Sequence, residues 1–409
     1  MCFISIGLLF IDKTIVTINL NYMYKKLLVS ICVMVTFWGC KNDKPEIKGI
    51  FIDFSNEPTN IHKIGLIDSV EIFHLDYKKA LFGEAKKIVR HKDRIYVMDE
   101  VHTKSVIVYD SSAEFISLIS GYGQGPNDYL QMTDIFIDND DVSLNIVSRI
   151  DKKILKYDLD GKQLLEVINT PKSFKKITKA QEGYVGYMGN WIQDKSSPYN
   201  VWTISKDLIL DNYFFEIDQS WDSKGFGDGS VFSAYQSDAY YITPMDYNIY
   251  RIEDDKFSIA YSFDLGKLSW PKDKKDYESS MALARDHANP YIHRFYNFQE
   301  TTNHLIVNVL YKGQRLLGVY NKHDKKTYTV YLEHNTEKYF LNFGTIIGFD
   351  EKTIYTLVDA DRIKVYWIGK DQYGNDFESK YPEQTKRLRE RIDSVDENDN
   401  PYLIMYHIN

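Results

Sequence analysis

Apolar and polar positions along this chain fall into a repeat. One unit recurs: an apolar strand ending on an aromatic residue or Ile, a polar turn, then a second strand. It reads Val106-Ile107-Val108-Tyr109, then Asp-Ser-Ser-Ala-Glu, then Phe115-Ile116. It returns as Ile154-Leu155-Lys156-Tyr157, then Asp-Leu-Asp-Gly-Lys, then Leu164-Leu165. Further copies end at Ile204, Ile252, Tyr320 and Tyr366, so the intervals between successive ends are 48, 47, 48, 68 and 46. The position three before each end is apolar in all six copies: Val106, Ile154, Val201, Ile249, Leu317 and Ile363. Between the ends lie further strand-like runs, such as residues 94–98, 238–242, 304–310 and 353–358, each bounded by Asp, Asn, Gly or Lys turns. A period of about 40–50 residues carrying about four short strands is the mark of a β-propeller blade.

This predicts an all-β fold, a six-bladed β-propeller over residues 61–409. One oversized interval, residues 266–303, enters as an insertion between blades. The run from Ser69 to Leu75 is placed to close the ring against a C-terminal strand, removing exposed edges. Either Tyr366 or Tyr406 could supply the third strand of the last blade. Helical pattern is scarce: Pro382 to Val395 predicts a short C-terminal helix, and Tyr277 to His287 a second. An aromatic content of 15%, with 32 Tyr, agrees with strands, since Tyr suits half-buried pleated surfaces.

Charge and cysteines bound the partners and the compartment. The net charge is −8, and residues 1–40 contribute +2 through Lys13, Lys25 and Lys26 against Asp12, leaving −10 for the rest. An acidic body argues against a nucleic-acid backbone as partner. The three cysteines are Cys2, Cys32 and Cys40, and none follows Cys40. That excludes a disulfide framework, a Cys-based zinc site or a thiol nucleophile from the body. From Met23 the chain reads MYKKLLVSICVMVTFWGC. Lys25 and Lys26 form a basic start, and Leu27 to Trp38 an apolar stretch shorter than the roughly 20 residues of a spanning helix. Residues 1–39 therefore read as a signal peptide whose true start is Met23 or Met1. Gly39-Cys40 resembles a bacterial lipobox, with Phe37 and Trp38 bulkier than usual; the resemblance implies lipidation of Cys40 and a membrane partner. Residues 40–60 then form a solvated tether, opening with Lys41-Asn42-Asp43-Lys44.

Three further segments carry a resemblance to a family. They are Gly121-Tyr-Gly-Gln-Gly-Pro-Asn-Asp-Tyr129, the hairpin Tyr157-Asp-Leu-Asp-Gly-Lys162, and Asn400-Pro-Tyr-Leu-Ile near the C-terminus. With the lipobox, they make the chain similar to the six-bladed β-propeller lipoproteins of Bacteroidetes, which are NHL- or TolB-like. The resemblance implies the outer membrane or cell surface of a Gram-negative bacterium, the periplasm-facing leaflet being the alternative. It is nearly silent on chemistry, because propellers host many functions.

Local motifs add little. The Gly-rich segment lacks the Gly-Lys-Ser/Thr of a P-loop and reads as a tight connection with positive φ at Gly123 or Gly125. The acidic turns at 138–141 and 158–161 resemble fragments of calcium loops, but the twelfth position counted from Asp158 is Asn169, where a Glu is needed. They read as hairpin turns. No cofactor is indicated, and a calcium ion in the central channel would draw its ligands from separate blades. There is no Gly-x-Ser-x-Gly and no His-Glu-x-x-His.

The insertion is the best candidate site. It gathers Trp270, Arg285 and His287 with Tyr291, His293 and Arg294, followed by Phe295 and Tyr296. Aromatic faces beside Arg and His suit sugars or peptides, and loops on a rigid scaffold are where binding residues collect. A lid packing those aromatics onto the ring fits the same residues. Tyr184, Tyr187 and Trp191 form a second aromatic cluster. The expected function is a non-catalytic ligand- or protein-binding or scaffold role at the cell envelope, with glycans among the ligands. The alternatives are a propeller-type enzyme, such as a lactonase-like hydrolase or polysaccharide lyase with its site in the channel, and a structural subunit of a membrane complex. Three or more converging Asp, Glu, Asn or His would favour the enzyme; mutually paired channel residues would count against it.

Overall fold

The computed structural model describes residues 49–331 (except 60, 62, 63, 76, 77, 141, 181, 182, 226–228, 254, 255 and 287), 345–360, 386, 390, 393, 394, 396 and 399–408. Cys40, His287, Ile363, Tyr366 and most of Pro382–Val395 lie outside the described residues.

The chain opens with β1 (Ile50–Phe51) and β2 (Ile67–His74). Four-stranded antiparallel sheets then follow in chain order, their strands lettered A to D from the axis outward. Blade 1 is β3 (Lys87–His91), β4 (Arg94–Asp99), β5 (Ser105–Asp110) and β6 (Phe115–Ile119). Blade 2 is β7 (Met132–Asp138), β8 (Ser143–Ser148), β9 (Lys153–Tyr157) and β10 (Leu164–Asn169). Blade 3 is β11 (Lys176–Lys179), β12 (Gly183–Tyr187), β13 (Tyr199–Ser205) and β14 (Leu210–Glu216). Blade 4 is β15 (Phe232–Tyr235), β16 (Asp238–Ile242), β17 (Asn248–Ile252) and β18 (Phe257–Asp264). Blade 5 is β19 (Asn297–Glu300), β20 (His304–Tyr311), β21 (Gln314–Asn321) and β22 (Thr327–Tyr331). Blade 6 is β23 (Thr345–Phe349), β24 (Thr353–Val358) and β25 (Tyr402–Ile408), completed on the outside by β2.

The protein is thus all-β, a six-bladed β-propeller with a helix, α1 (Tyr277–Arg285), in its insertion. Innermost strands stand side by side about the axis: β3 beside β23 and β7, β7 beside β11, β15 beside β19. Closure is by the first long strand on the last, with Ile67 opposite Ile408 and His74 opposite Tyr402. Without it, the backbone along the outer edge of β25 would be unpaired. Tyr406, in β25, supplies the last third strand.

The repeat has a simple physical cause. The apolar position three before each end residue lies in the third strand, and Val106, Ile154, Val201, Ile249 and Leu317 are all buried. Second and third strands are covered on both faces by neighbouring blades, so β4 and β5 are buried almost throughout and read as near-continuous apolar runs. Fourth strands such as β10 open toward solvent. Turns follow their own chemistry. At residues 158–161, Gly161 takes a φ of +66° and the Asp158 carboxylate accepts the backbone N–H of Lys162 and Gln163, a hairpin turn as expected.

Two boundaries move. Residues 50–59, read as tether, belong to the ring: β1 adds a parallel fifth strand to blade 4, and Thr59 pairs with Val330 of blade 5. Between them Ile52 and Phe54 are buried in the seam between those blades. The insertion ends earlier, because Asn297–Glu300 is the innermost strand of blade 5.

Candidate functional site

In a four-stranded antiparallel blade, the B–C turn and the D–A connection to the next blade emerge on one face, here the upper face. The A–B and C–D turns emerge on the lower face. Hydrogen bonds between connections agree with this layout: Arg149 N–H of the blade 2 B–C turn donates to Gln131 O of the 1–2 connection at 3.0 Å. The insertion, the Gly-rich segment and Trp191 all lie on the upper face.

The channel wall is formed by A-strand edges, whose backbone groups need partners. Side chains of neighbouring blades supply them. Lys87 Nζ of β3 donates to Ile135 O of β7 at 2.7 Å and pairs with Asp134 at 2.6 Å. Asp134 also accepts the backbone N–H of Ile177 in β11 at 3.3 Å. On the other side Gln299 Nε2 donates to Ala234 O at 2.9 Å. Toward the lower face, Glu300 accepts from Tyr240 (2.6 Å) and Tyr261 (2.7 Å) and pairs with Lys322 at 2.5 Å. Burial, then the Glu300 carboxylate beside them, push both phenols well up, so they stay protonated donors. Among the described residues, no group of three or more His, Cys, Asp or Glu converges as metal ligands would.

The insertion packs down as a lid. Asp276 caps α1 by accepting the N–H of Ser279 at 2.9 Å. Ser269 bridges Ile292, closing the loop on itself. Trp270 is 4% exposed, with its indole N–H on Lys274 O and its backbone N–H on the Tyr247 hydroxyl. That hydroxyl donates in turn to Ile292 O, and burial pushes its pKa up to about 12. Phe295, 1% exposed, sits in a ring cluster with Phe263 and Tyr247. His293 stacks edge-on against Trp270 and Tyr296; burial, and then the Arg294 charge, lower its pKa to about 4. The lid is also pinned to the blade 3–4 connection, where Trp221 Nε1 donates to Lys275 O and Ser220 Oγ accepts the N–H of Tyr277.

Of the residues singled out in the sequence, Trp270, His293, Arg294 and Phe295 are therefore brought together as packing, nearly out of contact with solvent. Arg285 is exposed, and Tyr291 and Tyr296 are half-buried, so these three remain open to a ligand. The second aromatic cluster is not brought together. Tyr184 sits at the lower end of β12 with its hydroxyl on Asp138, Tyr187 is buried against Tyr241, and Trp191 lies on the upper face. In the Gly-rich segment neither Gly123 nor Gly125 has positive φ. The Asp128 carboxylate lies against both instead: a Cβ would stand 2.4 Å and 2.7 Å from its Oδ2, so a larger residue at either position would push that side chain aside.

The sequence missed a set of aromatic–cation pairs on the upper face. Lys104 lies 3.8 Å over the Tyr122 ring, and Arg149 4.9 Å over Trp191. Lys224 lies 4.1 Å over Tyr277, and Arg294 5.1 Å over Tyr296. The partners of the first three come from different turns, so no local motif could have shown them.

The fold and this upper face define a six-bladed propeller scaffold rather than any one chemistry. The chain belongs to a family described as a domain of unknown function (DUF4934), whose model matches residues 50–407. In fold it is similar to a protein from Bacteroides fragilis that carries the description of an exported protein: 17% identity, 88% of this chain and 100% of that one covered, TM-score 0.66. A member of the DUF4221 family from Bacteroides vulgatus is more distant, with 10% identity over 84% of this chain and 97% of that one and a TM-score of 0.49. No curated protein sequence matches.

Proposed function

We propose that this protein is an exported, lipid-anchored propeller that acts as a non-catalytic binding or scaffold protein at the cell envelope. The observation that carries the reading lies in the channel: among the described residues, the charged groups Lys87, Asp134 and Glu300 are committed to one another's neighbours and to the strand edges, through Lys87–Asp134–Ile177 and through Glu300 with Tyr240, Tyr261 and Lys322. A catalytic channel needs polar groups held ready for substrate. The binding surface is then the upper face, where aromatic rings and cations of several blades reach solvent, and glycans and proteins are the ligands such a surface suits. Export and lipidation rest on the basic–apolar–Gly39-Cys40 run, and the likeness in fold to the exported Bacteroides fragilis protein fits the first of them. Residence in the outer membrane, at the cell surface, follows from the same reading, with the periplasm-facing leaflet as the other placement.

Two measurements test it. Metabolic labelling with palmitate should tag the wild-type chain and fail on Cys40→Ala; equal labelling would remove the anchor. A glycan array probed with the full chain in detergent should give binders that compete with one another. An array without any binder, alongside hydrolysis of a lactone or polysaccharide panel, would overturn the non-catalytic reading.

A further inference from the structure

Large apolar side chains are exposed unequally on the two faces. On the upper face four consecutive loops each hold one out to solvent. They are Leu81 (58% exposed) in the connection from β2 to β3, Val101 (49%) in the blade 1 B–C turn, Tyr122 (56%) in the 1–2 connection and Ile150 (58%) in the blade 2 B–C turn. Hydrogen bonds join these loops into one row: the Gly83 N–H donates to Asp99 at 2.8 Å, the Tyr129 hydroxyl to Lys104 O, and the Arg149 N–H to Gln131 O at 3.0 Å. Among the described residues the lower-face turns expose Val142 in blade 2 and Ile209 in blade 3, and the others of this kind stand along strands. A row of exposed apolar tips marks a contact surface. Three of the four tips are aliphatic and give a sugar ring no stacking face. They are separate knobs with exposed His102, Thr103 and Gln124 between them. A folded partner would have to match that relief, whereas a fluid interface admits each knob singly.

We infer that this row docks on the bilayer that holds the Cys40 lipid, its tips entering the headgroup region. The inference rests on the lipid anchor proposed above. The described chain begins at Gly49, next to Asp264 at the upper end of β18, and Phe51, 54% exposed, stands beside Gly266 there. Eight residues, 41–48, separate this point from Cys40. At full extension they keep the upper end of blade 4 within about 30 Å of the anchored residue. To bring the lower turns to the lipid, the tether would first have to run the length of β18, roughly 25 Å. The anchor therefore favours the upper face, and docking becomes an intramolecular step for which a few weak apolar contacts suffice. Blade 1 lies across the ring from blade 4. Contact through blades 1 and 2 tilts the ring, and the tether lets the lid half lift, so that Arg285, Tyr291 and Tyr296 stay open to a ligand.

The test uses the absence of cysteine beyond Cys40, whose thiol the lipid occupies. A single introduced thiol can then carry an NBD fluorophore at Leu81→Cys, at Ile150→Cys or, on the lower face, at Ile209→Cys. The lipidated protein is reconstituted into phosphatidylethanolamine–phosphatidylglycerol vesicles containing lipid spin-labelled near the headgroup. Labels at Leu81→Cys and Ile150→Cys should be quenched about twofold, and the label at Ile209→Cys should not change. Adding Val101→Glu and Tyr122→Glu should bring Ile150→Cys down to the level of Ile209→Cys, with the thermal midpoint and retention on the vesicles unchanged. Equal quenching at all three positions, or none at any of them in protein that stays on the vesicles, overturns the docking and leaves the anchor standing. Protein that washes off the vesicles overturns both. A label at Ile150→Cys that is shielded in native membranes but not in protein-free vesicles would assign the row to a protein partner and overturn the docking on lipid.

Discussion

The two sides of the upper face use aromatic residues in opposite ways. Over blades 4 and 5, Trp270, His293 and Phe295 are locked by ring contacts and by hydrogen bonds to Tyr247 and Lys274. Over blades 1 and 2, Tyr122 and Ile150 stand more than half exposed on turns whose backbone is fixed by other groups, Tyr129 and Asp128 around the first and the Arg149 N–H on Gln131 O at the second. The aromatic-rich segment is therefore the structural one. Its rings fill the seam left where one connection is lengthened, whereas a short Gly-rich connection displays its one exposed ring. Density of aromatic residues marks where a chain has extra surface to bury, and binding capacity has to be read from what stays uncovered.

The contrast can be broken in four ways. Phe295→Ala should cost about 3–5 kcal/mol, the range for emptying a large ring from a core, read as a lowered denaturant midpoint. A loss below about 1 kcal/mol would mean that the lid is loosely seated.

Acid should reach this side through His293. His293 is held neutral, with its pKa lowered to about 4. Below the unfolded value near 6.5 the unfolded chain takes up a proton that the folded chain refuses. Stability is present above about pH 6.5, is lost as pH falls toward 4, and levels off below that. The full loss is on the order of 3 kcal/mol. Since carboxylates titrate nearby, the quantity to measure is the difference between wild type and His293→Gln in denaturant unfolding across that window. Parallel curves would show that the ring is not held neutral.

On the blade 1–2 side, Gly123→Ala should cost about 1 kcal/mol, because the new methyl displaces the Asp128 carboxylate from the Gly125 N–H. A neutral result would show that the loop yields freely. Tyr122→Ala should stay within about 0.5 kcal/mol of wild type by thermal unfolding, as surface changes do. A loss comparable to that of Phe295→Ala would erase the distinction between the two sides.

Much of the architecture was legible because blade packing acts on local residues. Each third strand is buried on both faces, so its apolar run survives in every copy, and the polar turns between strands keep the period visible. Closure by the segment at 67–74 could be read from one apolar run left over before the first blade. The start of the body could not. Gly49 to Thr59 contains Pro58, Asn56 and Asp53 and looks like linker, yet it is held by backbone pairing to β18 and β22 and by the burial of Ile52 and Phe54. The insertion's far boundary failed for a related reason, since Asn297–Glu300 carries little apolar pattern of its own and is a strand because β20 pairs with it.

The sequence by itself determined the period, the number of blades and the absence of cysteine beyond Cys40, since all three can be read along the chain without knowing what folds against what. Tertiary structure alone decided which aromatics are buried, which carboxylates saturate the channel edges and which cations lie over which rings. Lys104–Tyr122, Arg149–Trp191 and Lys224–Tyr277 each join two turns well separated in the chain. Closing the ring brings such turns together on one face, and no local pattern encodes a contact whose two halves come from separate turns.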